Sequence, residues 1–158
     1  MSGINRFAVC GSGFIWKGLV RQLISQGYKI NVLDRNICPD EFSGETKWVT
    51  GEFADSDNLK NTLDGAEVVY HLISSTVVGD DTVDPIKELS ENIFSTIAFL
   101  EMCKKCNVKR VVFVSSASVY GLQSTMPISE GAETNPISSH GIQKLTIEKY
   151  LLLYQFLY

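Results

Sequence analysis

Long apolar runs are missing from this 158-residue sequence; the uninterrupted stretches cover only a few residues, far short of a membrane span. Blocks of five or six like charges are missing as well, and 14 basic against 18 acidic residues leave a net charge of −4. That balance speaks against a basic groove for nucleic acid and against a membrane-surface patch. The first eleven residues lack the layout of a secretory leader, because their apolar run is short and opens into a glycine-rich turn, so the cytoplasm is the expected compartment. Histidine is scarce, with only His71 and His140. Four cysteines, Cys10, Cys38, Cys103 and Cys106, supply one CxxC pair and no second ligand pair, so neither a metal site nor a disulfide framework is expected. Repeats, low-complexity tracts and linkers are absent too. What is present, 44% apolar, 10% aromatic and 20% charged residues, suits one ordinary domain over 1–158 with a real core.

Short β-rich runs alternate with longer helical segments, which reads as an α/β fold with a parallel sheet. Strands are expected at Arg6–Cys10, Lys29–Asp34, Lys47–Thr50, Val68–Leu72 and Arg110–Val114, the last of them, RVVFV, buried on both faces. Helical periodicity covers Phe14–Gln26, a small helix capped by Asp55 or Ser56 and ending near Leu63, a long helix over Ile86–Cys106, and a last one from about Ser139 onward. A loop containing Pro127 and Pro136 precedes that last helix.

Gly11 and Gly13 follow a strand and precede a helix, the context a dinucleotide-binding turn requires. Glycines there let backbone amides approach a pyrophosphate, which the helix N-terminus then stabilises. Asp34 ends the second strand; an acid at that place accepts hydrogen bonds from the adenosine ribose and repels a 2′-phosphate, which favours NAD, while adjacent Arg35 leaves NADP open. The third glycine of the fingerprint should stand at position 16, where the chain has Trp16. A large ring in a well-packed site costs about 1–3 kcal/mol or more. Either the helix shifts or the indole swings out across the pyrophosphate site, and nucleotide binding is impaired while the fold is retained.

The chain resembles the N-terminal part of the extended short-chain dehydrogenases, the nucleotide-sugar epimerase/dehydratase family, from about Phe7 to Tyr154. The resemblance rests on GSGFI (Gly11–Ile15), VLDRN (Val32–Asn36), HLISS (His71–Ser75), RVVFVSSASVYG (Arg110–Gly121) and SSHGIQKLTIEKY (Ser138–Tyr150). It implies a Rossmann-like, doubly wound parallel sheet with strand order 3-2-1-4-5 and NAD as cofactor. The family's G-x-x-G-x-x-G turn falls here on Cys10, Gly13 and Trp16. By resemblance, Phe14 and Ile15 lie beside the pyrophosphate, Glu52 and Phe53 flank adenine, and Leu72 and Asn92 lie near the nicotinamide half, with Ile73 crowding the cofactor. Plain core packing is the competing reading for Phe14, Phe53 and Leu72.

The resemblance also implies a Ser, Tyr and Lys set, in which the Lys cation lowers the Tyr pKa and makes it a usable base. Ser116 and Lys144 match the Ser and Lys; the Tyr position holds His140. Residues four apart share a helical face, so His140 and Lys144 point the same way. The imidazole is shorter than a phenol, and a Lys144 cation depresses its pKa. Loss of the base, a working replacement and an unrelated surface histidine are the three readings of His140. A serine that satisfies backbone amides and a solvated lysine are the ordinary alternatives at the other two positions.

Family members continue for about the same length again, through further strands and a region that binds the nucleotide-sugar, and the sequence ends before them. Its last segment, YLLLYQFLY, is apolar almost all round and should be buried on more than one face. Self-association is therefore expected, as a homodimer through the Ile86–Cys106 and Ser139–Tyr158 helices. Three functions compete: an NAD-dependent nucleotide-sugar epimerase or dehydratase using His140, a catalytically silent nucleotide-sensing or interaction module, and half of a split enzyme. The breaks at Trp16, His140 and the C-terminus favour impaired catalysis.

Overall fold

The computed structural model describes residues 4–75 and 84–158. Five strands, β1 (Arg6–Cys10), β2 (Lys29–Asp34), β3 (Lys47–Thr50), β4 (Val68–His71) and β5 (Arg110–Phe113), form one parallel sheet in the order β3-β2-β1-β4-β5. The helices are α1 (Phe14–Ser25), α2 (Ser56–Leu63), α3 (Pro85–Glu88), α4 (Ser95–Lys105) and α5 (Ser139–Leu157). This is the α/β Rossmann-like order that the sequence leads one to expect. The described residues of Met1–Ile73 and Ala98–Val114 make one compact unit, and those of Ser74–Ile97 and Ser115–Tyr158 make a second.

The first unit contains the whole sheet. Its strands are rich in β-branched residues, and β1 and β2 are buried along most of their length, as central parallel strands are. Asp55 caps α2, its Oδ1 accepting from the Asp57 and Asn58 N–H groups, each at 2.9 Å. At the other end of α2, Asn31 of β2 donates to the carbonyls of Thr62 at 2.7 Å and Asp64 at 3.1 Å. A buried amide on the sheet thus satisfies carbonyls that the helix leaves open.

Two expectations fail in this unit. The β5 strand is not buried on both faces: Arg110 is exposed and Val111–Phe113 are only half-buried, because β5 pairs with β4 alone among the described strands. Nor does Trp16 swing out towards the glycine turn. It is fully buried, on the same face of α1 as Val20 and Leu23. The indole meets Phe42, from the short 3₁₀ helix Asp40–Phe42, edge-on at 4.5 Å between centroids, and Trp48 of β3 at 5.5 Å and 90°. Those two rings make the slot that takes the indole, and a ring that has such a slot gains burial by turning inward. Its Nε1 has no hydrogen-bond partner there.

The second unit is helical. Asp84 caps α3, accepting from Ile86 N–H at 2.9 Å and Lys87 N–H at 3.3 Å. The single long helix expected over Ile86–Cys106 is interrupted by a π-helical turn, Leu89–Phe94, between α3 and α4. There Ser95 Oγ donates back to the Ser90 carbonyl at 3.0 Å, five residues earlier. In α5 the fully buried residues, Gly141, Gln143, Lys144 and Ile147, all lie in the first half. The second half does not show the burial on several faces that its composition suggests, since Leu152, Leu153, Phe156 and Leu157 are exposed. Among the described residues no helix is long and apolar enough to cross a membrane.

Candidate functional site

The two glycines of the β1–α1 turn differ in what surrounds them. Gly11 has φ +98, and a Cβ there would lie 2.9 Å from Ile73 Cγ1, so only glycine fits. Ile73, expected to crowd a cofactor, packs against this glycine. Gly13 differs: its φ is −70, and a Cβ would meet nothing within 4 Å. It is also the N-cap of α1, with no side-chain cap and no acid in the first turn. The first amides of a 12-residue helix therefore face open space without a side-chain acceptor, which is the chemistry of an anion site. Phe14 and Ile15 stand at this mouth, fully and largely exposed, so core packing is not the role of Phe14.

Asp34 closes the turn from the second strand. Its Oδ2 accepts from Ser12 N–H at 2.7 Å, and its Oδ1 accepts from the backbone and side-chain N–H groups of Asn36, both at 2.8 Å. A carboxylate offers about four acceptor sites, so one is left open. Arg35 is paired with Glu52 at 3.3 Å, both side chains being exposed. Phe53 is a core residue, 4.9 Å from the His71 ring and 5.4 Å from that of Phe99. Leu72 is half-buried against the core, its N–H donating to the Cys10 carbonyl at 2.9 Å.

The second unit brings Ser116, His140, Lys144 and Asn92 into one framework. Ser116 caps the 3₁₀ helix Ala117–Tyr120, accepting from Ser118 N–H at 3.2 Å and from Ser118 Oγ at 2.8 Å. Its hydroxyl is thereby held as acceptor for its own loop and keeps its proton to donate. Gly141 lets the first turn of α5 settle onto this loop: a Cβ would stand 2.6 Å from the Ser118 carbonyl oxygen and 2.9 Å from Pro136 Cβ. Ser138 caps α5 through Gly141 N–H at 3.1 Å.

His140 is half-buried and Lys144 is buried. Desolvation holds the Lys144 ammonium below the ordinary lysine range. Burial, and then the Lys144 charge, push His140 below the usual imidazole value, while Glu88 pushes it back up. Asn92 is a buried hub in the π-helical turn: Oδ1 accepts from Ser75 N–H at 3.0 Å and Ser75 Oγ at 3.1 Å, and Nδ2 donates to Gln143 Oε1 at 2.7 Å. Glu88, Ser139, Gln143 and Gly141 complete this cluster, although their sequence pattern does not announce them. A lone Glu near the start of a helix reads as a solvated first-turn acid, and only its burial reveals otherwise.

Residues 9–158 match the model of the NAD dependent epimerase/dehydratase family. The chain is 32% identical over 152 residues to a UDP-glucose 4-epimerase from Bacillus subtilis, covering 89% of this chain and 45% of that protein. Among solved structures it is similar to UDP-glucose 4-epimerase from Brucella ovis in complex with NAD, with a TM-score of 0.85 and 32% identity, covering 95% of this chain and 47% of that one. The UDP-glucose 4-epimerase of Thermotoga maritima with UDP-glucose is also similar, at a TM-score of 0.83 and 28% identity, covering 94% and 50%. The chain spans about half the length of the curated relatives it matches.

Proposed function

Because this chain belongs to the NAD dependent epimerase/dehydratase family, we propose that it is an NAD-binding domain related to nucleotide-sugar epimerases, with impaired proton transfer. The observation that carries the cofactor reading is the open, uncapped α1 N-terminus beside Gly13, closed by Asp34. There the amides of the first turn would hold a pyrophosphate, and the remaining lone pair of Asp34 would hold the adenosine ribose. The Arg35–Glu52 pair supports NAD over NADP, since Arg35 already has an anionic partner. Bound NAD would supply the hydride acceptor, while Lys144 would supply positive charge and Ser116 a hydroxyl donor on the catalytic side. A UDP-sugar is the substrate class suggested by relatives crystallised with UDP-glucose.

The impairment lies at His140. A phenol beside a lysine gains acidity and becomes a base, whereas an imidazole in the same place loses proton affinity to burial and to Lys144. A second reading, with His140 as the working base, is favoured by Glu88, which restores part of that affinity. We also propose that the exposed apolar side chains of α5 and of Ile86, Leu89 and Phe94 carry a homodimer contact. The cofactor reading is tested by calorimetric titration of NAD into the chain and into Asp34→Ala. Binding should weaken tenfold or more on loss of a charged acceptor, about 1.5–3 kcal/mol. Equal affinity in the two proteins would refute the role of Asp34, and no heat with either would refute the cofactor.

A further inference from the structure

The cluster at the start of α5 contains one ionisable group that hydride transfer does not call on. Glu88, the last residue of α3, is 5% exposed. Its Oε2 accepts from Ser139 Oγ at 2.6 Å and from Gln143 Nε2 at 2.7 Å, and Gln143 Nε2 also donates to Ser139 Oγ at 2.9 Å. Its Oε1 is buried without a hydrogen-bond partner. Removing a carboxylate from water costs several kcal/mol, and two neutral donors on one oxygen leave the other uncompensated. An uncharged acceptor would tie down Ser139 and Gln143 equally well. The negative charge therefore acts on something other than these two donors.

Both donors bracket His140. Ser139 immediately precedes it, and Gln143 lies one helical turn beyond Ser139, so Glu88 grips the turn of α5 that carries His140. Among the described residues, the charges that act on His140 are Lys144, from α5 itself, and Glu88, from α3. We propose that Glu88 is the positioning carboxylate of His140: it anchors the imidazole's helical turn through Ser139 and Gln143 and supplies the negative charge that offsets Lys144. With Glu88 ionised, Lys144 protonated and His140 neutral, the three groups sum to zero. A proton taken by the imidazole from a donor hydroxyl brings the sum to +1, where Lys144 and His140 alone would reach +2. The cluster is thus a proton store assembled from a short helix and the first turn of α5. This deepens the second reading of the function, with His140 as the working base, and rests on that reading.

The test is a histidine titration by NMR on the full chain, with buried His71 as the internal reference. Glu88→Gln keeps an oxygen acceptor for Ser139 and Gln143 and deletes the charge; the His140 midpoint should move down. Lys144→Met, which deletes the opposing charge, should move it up. A His140 midpoint that stays in place or rises in folded Glu88→Gln overturns the proposal. If that variant does not fold, the wild-type chain decides: the Glu88 carboxyl carbon should show a step at the His140 midpoint, as interacting sites do, and a carbon shift without that step also overturns it. NAD added to the same samples separates the two readings. Failure to bind NAD sinks the cofactor assignment and leaves the His140 displacement intact, while binding with an unmoved His140 sinks only the role of Glu88.

Discussion

Restoring glycine at position 16 would rebuild the dinucleotide fingerprint on paper, yet the packing of Trp16 makes the opposite outcome the expected one. The indole is fully buried, meets Phe42 and Trp48, and shares the core cluster of Val9 and Val20, joining α1 to the sheet. Truncating a buried Trp to Ala costs about 3–5 kcal/mol. Glycine in a helix interior adds about 1 kcal/mol, so Trp16→Gly should lose about 4–6 kcal/mol. For a chain of ordinary stability that is a large part of the folding free energy. With a urea m-value near about 2 kcal/mol/M, the midpoint followed by far-ultraviolet circular dichroism should fall by about 2–3 M, and NAD affinity should not improve. Trp16→Phe is the sharper companion. It keeps a ring against Phe42 and removes an unpartnered N–H whose burial costs about 1–3 kcal/mol, which offsets the smaller ring volume, so its midpoint should stay within about 0.5 M of wild type. The reasoning fails if Trp16→Gly lies within about 1 kcal/mol of wild type, or if Trp16→Phe is as damaging as glycine.

Three further outcomes are expected. Folding depresses the His140 pKa, so the unfolded chain binds the extra proton first as pH falls; stability is full above about pH 6.5 and declines below it until the folded imidazole also titrates. Thermal melts of wild type against His140→Gln between neutral pH and pH 5 should show this slope in wild type and a shallower one in the variant. Gly141→Ala favours a helix by about 1 kcal/mol but places a methyl 2.6 Å from the Ser118 carbonyl; a net loss of about 1–3 kcal/mol in chemical denaturation would confirm the close approach, and a gain would refute it. Light scattering should return twice the chain mass of 17.5 kDa if the exposed α5 face is a dimer contact, and a stable monomer would refute that proposal.

The strands were legible because each pairs a short apolar run with a turn residue, and the bounds of β1, β2 and β3 are the ones their composition indicates. Positions that depend on distant partners were not. Where Trp16 goes is decided by Phe42 and Trp48, more than twenty residues along the chain, so no local pattern at the glycine turn reveals it. The half-buried state of β5 depends on which strands flank it, and its apolar run looks the same in the middle of a sheet or at its edge. The π-helical turn is a change of one residue in register inside a periodic stretch, which apolar spacing tolerates. Glycine, Asp34, Ser116, His140 and Lys144 were named by motif, but the polar set at the start of α5 was not. Glu88 and Gln143 acquire meaning only through contacts across 55 positions.

The placement of the two tryptophans has an optical consequence. Trp16 has an indole N–H without a partner, whereas that of Trp48 donates to the Asn36 carbonyl at 2.9 Å, and both belong to the sheet-bearing unit. Intrinsic tryptophan emission is therefore a label for that unit alone. The helical unit has no tryptophan but contains Tyr120, Tyr150, Tyr154 and Tyr158, so tyrosine absorbance weights it instead. One unlabelled sample, melted once and read at two wavelengths, reports whether the sheet-bearing unit and the helical unit unfold as a single cooperative body.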